Sequence, residues 1–203
     1  MIDLSSIFYI AILILSVVAH EISHGYAALA LGDKTAFYEG RLTLNPLKHF
    51  DLWWSFIIPL VTFLSSGLMF GMAKPVPYNP YNLRDKRWGE LKVALAGPLS
   101  NFVIALCFGL ILRFFAPMWN TFGVSVLLYL IVKVNVSLAI FNLIPLPPLD
   151  GSKILASFIP YRHRHVMNMM EQWSVFFLAI LVLFAWGGFL RPIVFAVVDL
   201  IVG

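Results

Sequence analysis

The chain has 203 residues, of which 61% are hydrophobic and 12% are charged, and its mean hydropathy is +0.89. A soluble domain is closer to half apolar and a quarter charged, so this composition excludes a soluble protein and predicts one embedded in a lipid bilayer. The formal net charge of +4 comes without a basic stretch interleaved with aromatic residues, so we expect no nucleic-acid partner. The single cysteine, Cys107, lies in an apolar run and predicts a buried thiol without a disulfide.

Five apolar segments follow one another along the chain, each close to the length that a membrane-crossing helix needs. They are A (4–31), B (52–72), C (91–116), D (121–143) and E (172–190, continuing toward 202). Segment A lacks the basic start and the cleavage site of a signal peptide, so we expect it to be retained. The pattern predicts an all-α polytopic membrane protein with about four spanning helices. We expect a single domain over 1–203, with a catalytic core at about 4–155 and a C-terminal helical segment at about 171–203.

Segment B is predicted to be re-entrant or only partly crossing, because proline, serine and glycine residues interrupt it (Pro59, Ser65, Ser66, Gly67 and Gly71). If B crossed the bilayer, the basic loops 32–51 and 74–92 would face opposite sides. If B returns, all eleven Lys and Arg residues of these loops and of 150–172 lie on one face. The positive-inside rule assigns such a face to the cytoplasm.

The connection between A and B contains a stretch that is rich in β-branched and aromatic residues, Ala36–Leu44, bounded by glycine and Asn-Pro. We predict a short membrane-associated β-strand or hairpin there. Such a strand offers an edge for an unwound substrate segment to pair with. Between D and E, the stretch LIPLPPLDGS (143–152) cannot continue a helix, because its three prolines remove backbone donors.

The motif HEISH (20–24) lies inside segment A and has the form H-E-x-x-H. Residues four apart share one face of a helix, so His20 and His24 can both direct an imidazole at one metal ion. Glu21 lies beside that face, where a carboxylate can act on a metal-bound water, as in zinc hydrolases. The alternative is a pair of interfacial histidines with a snorkelling glutamate. Ionisable groups within a spanning segment are, however, functional by default.

A catalytic zinc needs a third protein ligand and one open position. Asp150 is the best candidate, because it follows the proline-broken end of segment D and precedes Gly151. The alternative is an ordinary Asp-Gly turn at a helix end. Only a returning segment B brings Asp150 to the same side as the second half of segment A. The charge count and the metal geometry therefore favour the same topology.

HEISHGYAA and FNLIPLPPLDGS together resemble the two signature motifs of the site-2 protease family, the intramembrane zinc metalloproteases. RLTLNPLKHFD, AKPVPYNPYNLRD and ALAGPLSN resemble further blocks of its compact bacterial and archaeal branch, which has no PDZ or CBS domain. The resemblance implies one Zn²⁺ per chain, held by His20, His24 and Asp150, with Glu21 as the catalytic base. It also makes Asn142 a candidate oxyanion or substrate hydrogen-bond donor, and the alternative is a helix–helix hydrogen bond within the bundle.

The resemblance further implies a zinc-dependent endopeptidase that hydrolyses peptide bonds within or near transmembrane segments of membrane proteins. Its partners are those substrates and the lipid bilayer, and its place is a prokaryotic cell membrane, with the active site toward the cytoplasm. One alternative is another H-E-x-x-H peptidase with Glu90 or Glu171 as the third ligand. A second alternative is a non-catalytic zinc-binding membrane protein or a metal transporter, although transporters usually show internal repeats.

Four further residues of segments C and D are unusual in a membrane-spanning helix or carry a specific expectation. Asn135 shares a helix face with Asn142, and we expect it to form a helix–helix hydrogen bond. Asn101 is open to either reading, catalytic or structural. Gly97 is expected to serve close packing, and Lys133, in the middle of segment D, has no partner that the sequence identifies.

Overall fold

A computed structural model describes residues 4–49, 75–115, 122–160, 164–174, 176–177, 181 and 189–203. These residues form helices and connecting turns and contain no β-strand. The helices are α1 (Leu4–Ala30), α2 (Thr35–Tyr38), α3 (Gly89–Phe115), α4 (Phe122–Asn142), α5 (Asp150–Phe158), α6 (Arg164–Gln172) and α7 (Arg191–Val202), with 3₁₀ turns at Pro46–His49 and Pro80–Asn82. Segment B and most of segment E lie outside the described residues.

Three helices of the described chain are long and apolar enough to cross a membrane: Ile7–Ala30, Gly89–Phe115 and Gly123–Asn142. Only 28%, 33% and 33% of their most apolar windows are buried inside the protein, so each helix keeps a face that is not covered by the rest of the chain. Cys107 lies on such an outer face of α3 and is exposed. The prediction of a buried thiol is therefore wrong, because α3 is apolar on all sides and hydropathy does not distinguish its lipid face from its protein face.

The directions of α1 and α3 follow from two side-chain contacts between them. His20 contacts Asn101, and His24, one turn later in α1, contacts the carbonyl of Val93, two turns earlier in α3. The two helices are therefore antiparallel. The C-terminal end of α1 and the N-terminal end of α3 lie together, and we call this end of the bundle the site end.

Helix α4 runs parallel to α1 and ends at the site end. Asn135, which is fully buried, donates a hydrogen bond from Nδ2 to Ser16 Oγ (3.0 Å), which confirms the expected helix–helix bond. After α4 ends at Asn142, a turn leads to Asp150, the first residue of α5. A Cβ at Gly151 would lie 2.3 Å from the carbonyl oxygen of Ile144, so only glycine lets α5 begin so close to the end of α4.

A cluster of small and β-branched side chains joins α3, α4 and α7. Its buried members are Ala105, Val132, Val136, Val194 and Val198. Beside this cluster, Lys133 Nζ lies 5.2 Å from the ring centroid of Phe195 in α7. This cation–π contact supplies the partner that the sequence did not identify, because the attraction of an ammonium to an aromatic face leaves no charge pattern.

The loops that precede and follow segment B meet at the site end. Arg41 Nη2 donates to the carbonyl of Pro75 (3.3 Å), and the backbone N–H of Arg84 donates to the carbonyl of Leu31, the residue after α1 (2.8 Å). The described parts of the two basic loops therefore lie at one end of the bundle, as the distribution of Lys and Arg predicted.

The predicted strand at Ala36–Leu44 is wrong. Thr35–Tyr38 form a single helical turn, and the residues that follow are turns and irregular backbone. Asp33 favours the helical turn, because its Oδ1 accepts hydrogen bonds from the N–H and the hydroxyl of Thr35 (3.1 and 2.6 Å). Gly40, at φ +62°, reverses the chain afterwards. These local bonds override the β-propensity of the stretch, so the edge strand for substrate pairing is absent from these described residues.

Candidate metal centre

Helix α1 presents His20 and His24 on the face that packs against α3. The two imidazoles stand one turn apart, and their Nε2 atoms approach to 3.1 Å. Both residues are buried, with 5% and 8% of their surface exposed. Because the helix is regular through this turn, the i, i+4 spacing alone places both rings at one point.

Asp150 completes a three-residue cluster. Its Oδ2 lies 3.0 Å from His20 Nε2 and 3.1 Å from His24 Nε2, and 7% of the residue is exposed. The structure thus brings together the three residues that the sequence predicted as metal ligands. Glu90 and Glu171, the alternative third ligands, do not belong to this cluster of described residues.

The outer nitrogen of each imidazole faces an acceptor. His24 Nδ1 lies 2.7 Å from the carbonyl oxygen of Val93, and His20 Nδ1 lies 3.1 Å from Asn101 Oδ1. A carbonyl oxygen only accepts, so each Nδ1 carries the proton and each neutral ring has a lone pair at Nε2. In neutral rings of this tautomer, two nitrogen lone pairs and a carboxylate oxygen point at one another, an arrangement that a cation stabilises.

The spacing of these three atoms fits a metal ion. A tetrahedral zinc site with bonds of about 2.0–2.1 Å separates its ligand atoms by about 3.3 Å. The observed separations of 3.0–3.1 Å are close to this value. Each histidine also donates its other ring N–H to an oxygen, as metal-binding histidines generally do. The donor set of two imidazoles and one carboxylate suits zinc and leaves a fourth position open.

Gly97 of α3 lies directly against the cluster. A Cβ added there would stand 2.4 Å from His24 Nε2 and 2.6 Å from His20 Nε2. Any other residue at this position would place a carbon atom against the ligand nitrogens of both histidines. The expected role of Gly97 in close packing is therefore confirmed, and the packing partner is the metal-competent cluster itself.

Glu21 is half-buried and lies outside the three-residue cluster, next to His20 in the chain. Its Oε2 accepts a hydrogen bond from the backbone N–H of Val76 (2.9 Å), in the loop that precedes α3. Gly25 allows this loop to approach, because a Cβ there would lie 2.8 Å from Val76 Cγ1 and 2.4 Å from Leu42 Cδ2. One carboxylate oxygen is thus held, and Oε1 remains for chemistry.

The loop that holds Glu21 is itself held by Asp33, which is 1% exposed. Asp33 Oδ2 accepts from the N–H of Asn79 (2.7 Å), and Oδ1 accepts from Asn82 Nδ2 (2.9 Å) and from Thr35. Burial acts to raise the pKa of Asp33, but the hydrogen bonds from Thr35, Asn82 and Asn79 outweigh it and hold the pKa below its usual value. Asp33 is therefore a fixed anion that ties the end of α1 to the loop.

Lys153 and Tyr78 lie on the side of Asp150 that faces away from the two histidines' shared contact, as a pair in contact with each other. Lys153 Nζ lies 3.9 Å from Asp150 Oδ1 and 5.6 Å from the centroid of the Tyr78 ring. Burial raises the pKa of Tyr78 to about 12, helped by the negative charges of Glu90, Asp150 and Glu171. The tyrosine therefore stays protonated at neutral pH, and Lys153 supplies the positive charge on this side of the cluster.

Of the two remaining asparagines that the sequence singled out, one contacts the three-residue cluster and the other bonds within its own helix. Asn101 contacts His20, so the structure places it at the site. Asn142 ends α4, and its Nδ2 donates to the carbonyl of Leu138 in its own helix (2.9 Å). The contacts described for Asn142 do not include the cluster. The roles of Asp33 and Val76 could not be predicted, because a buried loop aspartate and a backbone N–H leave no distinctive spacing in a sequence.

His20 and His24 lie in a helix long enough to cross a membrane, and they form a buried cluster with Asp150, beside Glu21. This arrangement is typical of membrane-embedded metal-dependent hydrolases. The comparisons with known proteins identify the family. The model of "Peptidase family M50" matches residues 8–119 and 113–185. The chain belongs to this family, the site-2 proteases, and is a metalloprotease; the resemblance in the motifs is confirmed.

Known relatives cover most of the chain. It is 38% identical over 182 residues to "Putative zinc metalloprotease YwhC" of Bacillus subtilis, which covers 85% of this chain and 77% of the relative. It is 30% identical over 174 residues to "Putative zinc metalloprotease Rip2" of Mycolicibacterium smegmatis (84% and 64%). It is 29% identical over 161 residues to "Putative zinc metalloprotease MJ0611" of Methanocaldococcus jannaschii (73% and 72%). No solved structure gives a significant match.

Proposed function

We propose that the chain is a zinc-dependent endopeptidase that cleaves membrane proteins within or near their transmembrane segments. In this proposal His20, His24 and Asp150 hold one Zn²⁺, and Glu21 is the catalytic base. The names of the relatives support zinc as the metal.

One observation carries the proposal: three buried acceptor atoms converge within 3.1 Å of one another. When both rings are neutral and protonated on Nδ1, His20 Nε2, His24 Nε2 and Asp150 Oδ2 present only lone pairs to one another. Such an arrangement repels itself unless a cation binds, since close lone pairs in a buried site are poorly screened. A bound zinc ion would act there as a Lewis acid and lower the pKa of a water molecule to about 7.

We propose that Glu21 moves the proton of the attacking water molecule. Its Oε2 is engaged by the N–H of Val76, which leaves Oε1 to accept the proton as the water oxygen attacks the peptide carbonyl. When the carbon–nitrogen bond breaks, Oε1 returns the proton to the leaving amine. The hydrogen bond from the N–H of Val76 restricts the carboxylate to one rotamer.

Asn142 is proposed as the donor that stabilises the negative charge developing on the substrate carbonyl oxygen. One of its two amide N–H groups donates to Leu138, so the second is the group that would serve the substrate. Hydrogen-bond donors aimed at a developing oxyanion are among the largest contributions to acyl-transfer catalysis.

The depth of the site supports substrates that lie in the bilayer. His20, Glu21 and His24 fall within the candidate span Ile7–Ala30, on the half that ends at the site end. The described parts of two basic loops, which contain Lys34, Arg41, Lys48, Arg84, Lys86, Arg87 and Lys92, lie at the same end. We propose that this end faces the cytoplasm, because basic loops remain there, and that water reaches the site from it.

The decisive experiment compares the purified wild type with Glu21→Gln in detergent. Bound zinc is measured by atomic spectroscopy, and cleavage is measured on a model protein with one transmembrane segment. We expect Glu21→Gln to keep its zinc and lose cleavage, because the residue lies outside the ligand cluster. The matched control is Glu39→Gln, the same chemical change at an exposed position, which should behave as the wild type.

Two outcomes would contradict the proposal. Equal cleavage by Glu21→Gln and the wild type would show that the chain does not use Glu21 as a base. Zinc bound without any cleavage by the wild type would favour a non-catalytic zinc-binding protein or a transporter.

A further inference from the structure

The two imidazoles of the cluster are oriented by different kinds of partner. His24 Nδ1 faces a backbone carbonyl, that of Val93, which can only accept a proton. His20 Nδ1 faces a side-chain amide, that of Asn101 at 3.1 Å. An amide offers either an acceptor oxygen or a donor nitrogen on the same plane. The identity of the amide atom therefore decides which nitrogen of His20 carries the proton.

The two possible orientations of Asn101 have opposite consequences. With Oδ1 toward His20, as in the structure, Nδ1 is protonated and Nε2 keeps the lone pair that faces Asp150. With Nδ2 toward His20, Nδ1 would accept and Nε2 would be protonated. A protonated Nε2 does not bind a metal ion.

The observed orientation carries a cost inside the protein. Asn101 is 0% exposed, and its Nδ2 has no hydrogen-bond partner among the residues that the structure describes. Buried polar atoms without a partner are rare in proteins, and each one calls for an explanation. Metal binding explains this one, because it requires Oδ1 rather than Nδ2 to face the histidine.

We propose that Asn101 is the positioning residue that fixes His20 as a metal ligand, by accepting the Nδ1 proton and holding the ring against Asp150. Asn101 acts through His20 and touches neither the metal nor the substrate. The inference rests on the proposed function, since it assigns Asn101 to the same zinc site.

The test measures zinc affinity rather than proteolysis. The dissociation constant is determined by chelator competition on the purified full-length chain, for the wild type, Asn101→Leu and Asn101→Asp. Leucine has a similar size but no acceptor, so we expect the dissociation constant to rise about 10–100-fold, as for other groups that orient a metal-binding histidine. Aspartate still accepts the Nδ1 proton, and we expect it to keep zinc binding close to that of the wild type.

Asn135→Leu is the matched control. Asn135 is also fully buried in the bundle, and its Oδ1 likewise has no described partner, but its Nδ2 bonds to Ser16 and not to a predicted ligand. We expect Asn135→Leu to lower the melting temperature of the zinc-free chain and to leave zinc affinity unchanged. A merely structural role for Asn101 would make the two leucine variants alike in both measurements.

The outcomes separate this inference from the proposed function. A wild type that binds no zinc would overturn both. A wild type that binds zinc while Asn101→Leu binds it equally well would overturn only the role of Asn101. If Asn101→Leu does not fold, the aspartate variant decides alone: zinc binding tenfold weaker than that of the wild type would overturn the proposal, and unchanged binding would support it.

Discussion

His20, His24 and Asp150 are held by helices, whereas Glu21, one residue from His20, is held by a loop. The three cluster residues come from α1 and α5, and α3 orients both imidazoles through Asn101 and the carbonyl of Val93. The carboxylate of Glu21 receives one described bond, from the N–H of Val76. Neighbouring residues of one motif thus depend on different parts of the molecule. Metal binding and proton transfer should therefore be separable by mutation.

The largest loss of zinc binding is expected at Gly97, where α3 packs directly against the two histidines of α1. Gly97→Ala adds a carbon atom 2.4 Å from His24 Nε2 and 2.6 Å from His20 Nε2. We expect zinc content to fall from about one ion per chain to near zero, with complete loss of cleavage, because the ligands cannot converge. Zinc analysis and the cleavage assay measure this.

Gly123→Ala is the control for Gly97→Ala, since a Cβ at Gly123 meets no atom within 4 Å. It should bind zinc and cleave as the wild type does. Normal zinc content in Gly97→Ala would show that the ligand atoms do not meet at this point.

The next effect concerns the substrate oxyanion and not the metal. Asn142→Ala removes the proposed donor, and we expect kcat to fall about 10²–10³-fold, as for other oxyanion donors. The dissociation constant for zinc should be unchanged, because the contacts described for Asn142 run along its own helix. Cleavage within twofold of the wild type would remove Asn142 from the mechanism.

Gly25→Ala tests whether the loop that contains Val76 positions Glu21 independently of the metal ligands. The added Cβ would lie 2.4 Å from Leu42 Cδ2 and 2.8 Å from Val76 Cγ1, so both side chains must shift, and we expect the loop that holds Glu21 to shift with Val76. We expect kcat to fall about 10–100-fold, the effect of displacing a catalytic group by about 1 Å, while zinc affinity is retained. Loss of zinc in this variant would show that the loop and the ligand cluster are not independent.

The smallest effect is expected at Asp33, further from the chemistry. Asp33→Asn removes the charge that accepts from Thr35, Asn79 and Asn82, and we expect the free energy of unfolding to fall by about 1–3 kcal/mol. Because the pKa of Asp33 is lowered in the folded chain, its contribution is complete above the unfolded pKa of about 3.9 and is lost as the pH falls below it.

Melting temperature measured against pH tests this sign for Asp33. The difference between the wild type and Asp33→Asn should be constant from pH 7 to about pH 5 and should shrink below about pH 4. A difference that grows as the pH falls would contradict the role of the carboxylate as a hydrogen-bond acceptor for the loop.

The features that could be predicted from the sequence are those that depend on helical periodicity and on the distribution of charged residues. The spacing of His20 and His24 predicts that they share one helix face, and the count of Lys and Arg in each loop predicts that Asp150 lies at the same end of the bundle. The first signal needs only neighbouring residues, and the second is a sum over loops, so neither requires knowledge of contacts across the fold. The bounds of the spanning helices follow the apolar segments closely, since α3 and α4 match segments C and D within a few residues.

The parts that the sequence missed depend on contacts across the fold. Gly97 is one glycine among thirteen, and only the approach of α1 shows what its missing side chain makes room for. The helical turn at Thr35–Tyr38 results from the side chain of Asp33 and overrides a stretch of strand-forming residues. Cys107 faces outward on a helix that is apolar on every side, so its composition could not indicate its exposure.

X-ray absorption at the zinc edge of the purified wild type tests the central claim most directly, since it identifies ligand atoms without any substrate. If His20, His24 and Asp150 hold the metal, the spectrum shows two imidazoles and oxygen at about 2.0–2.1 Å, and no sulfur near 2.3 Å. Asp150→Ala should keep the imidazole signal while zinc binds more weakly. A sulfur ligand, three imidazoles, or a spectrum without imidazole would contradict the assignment.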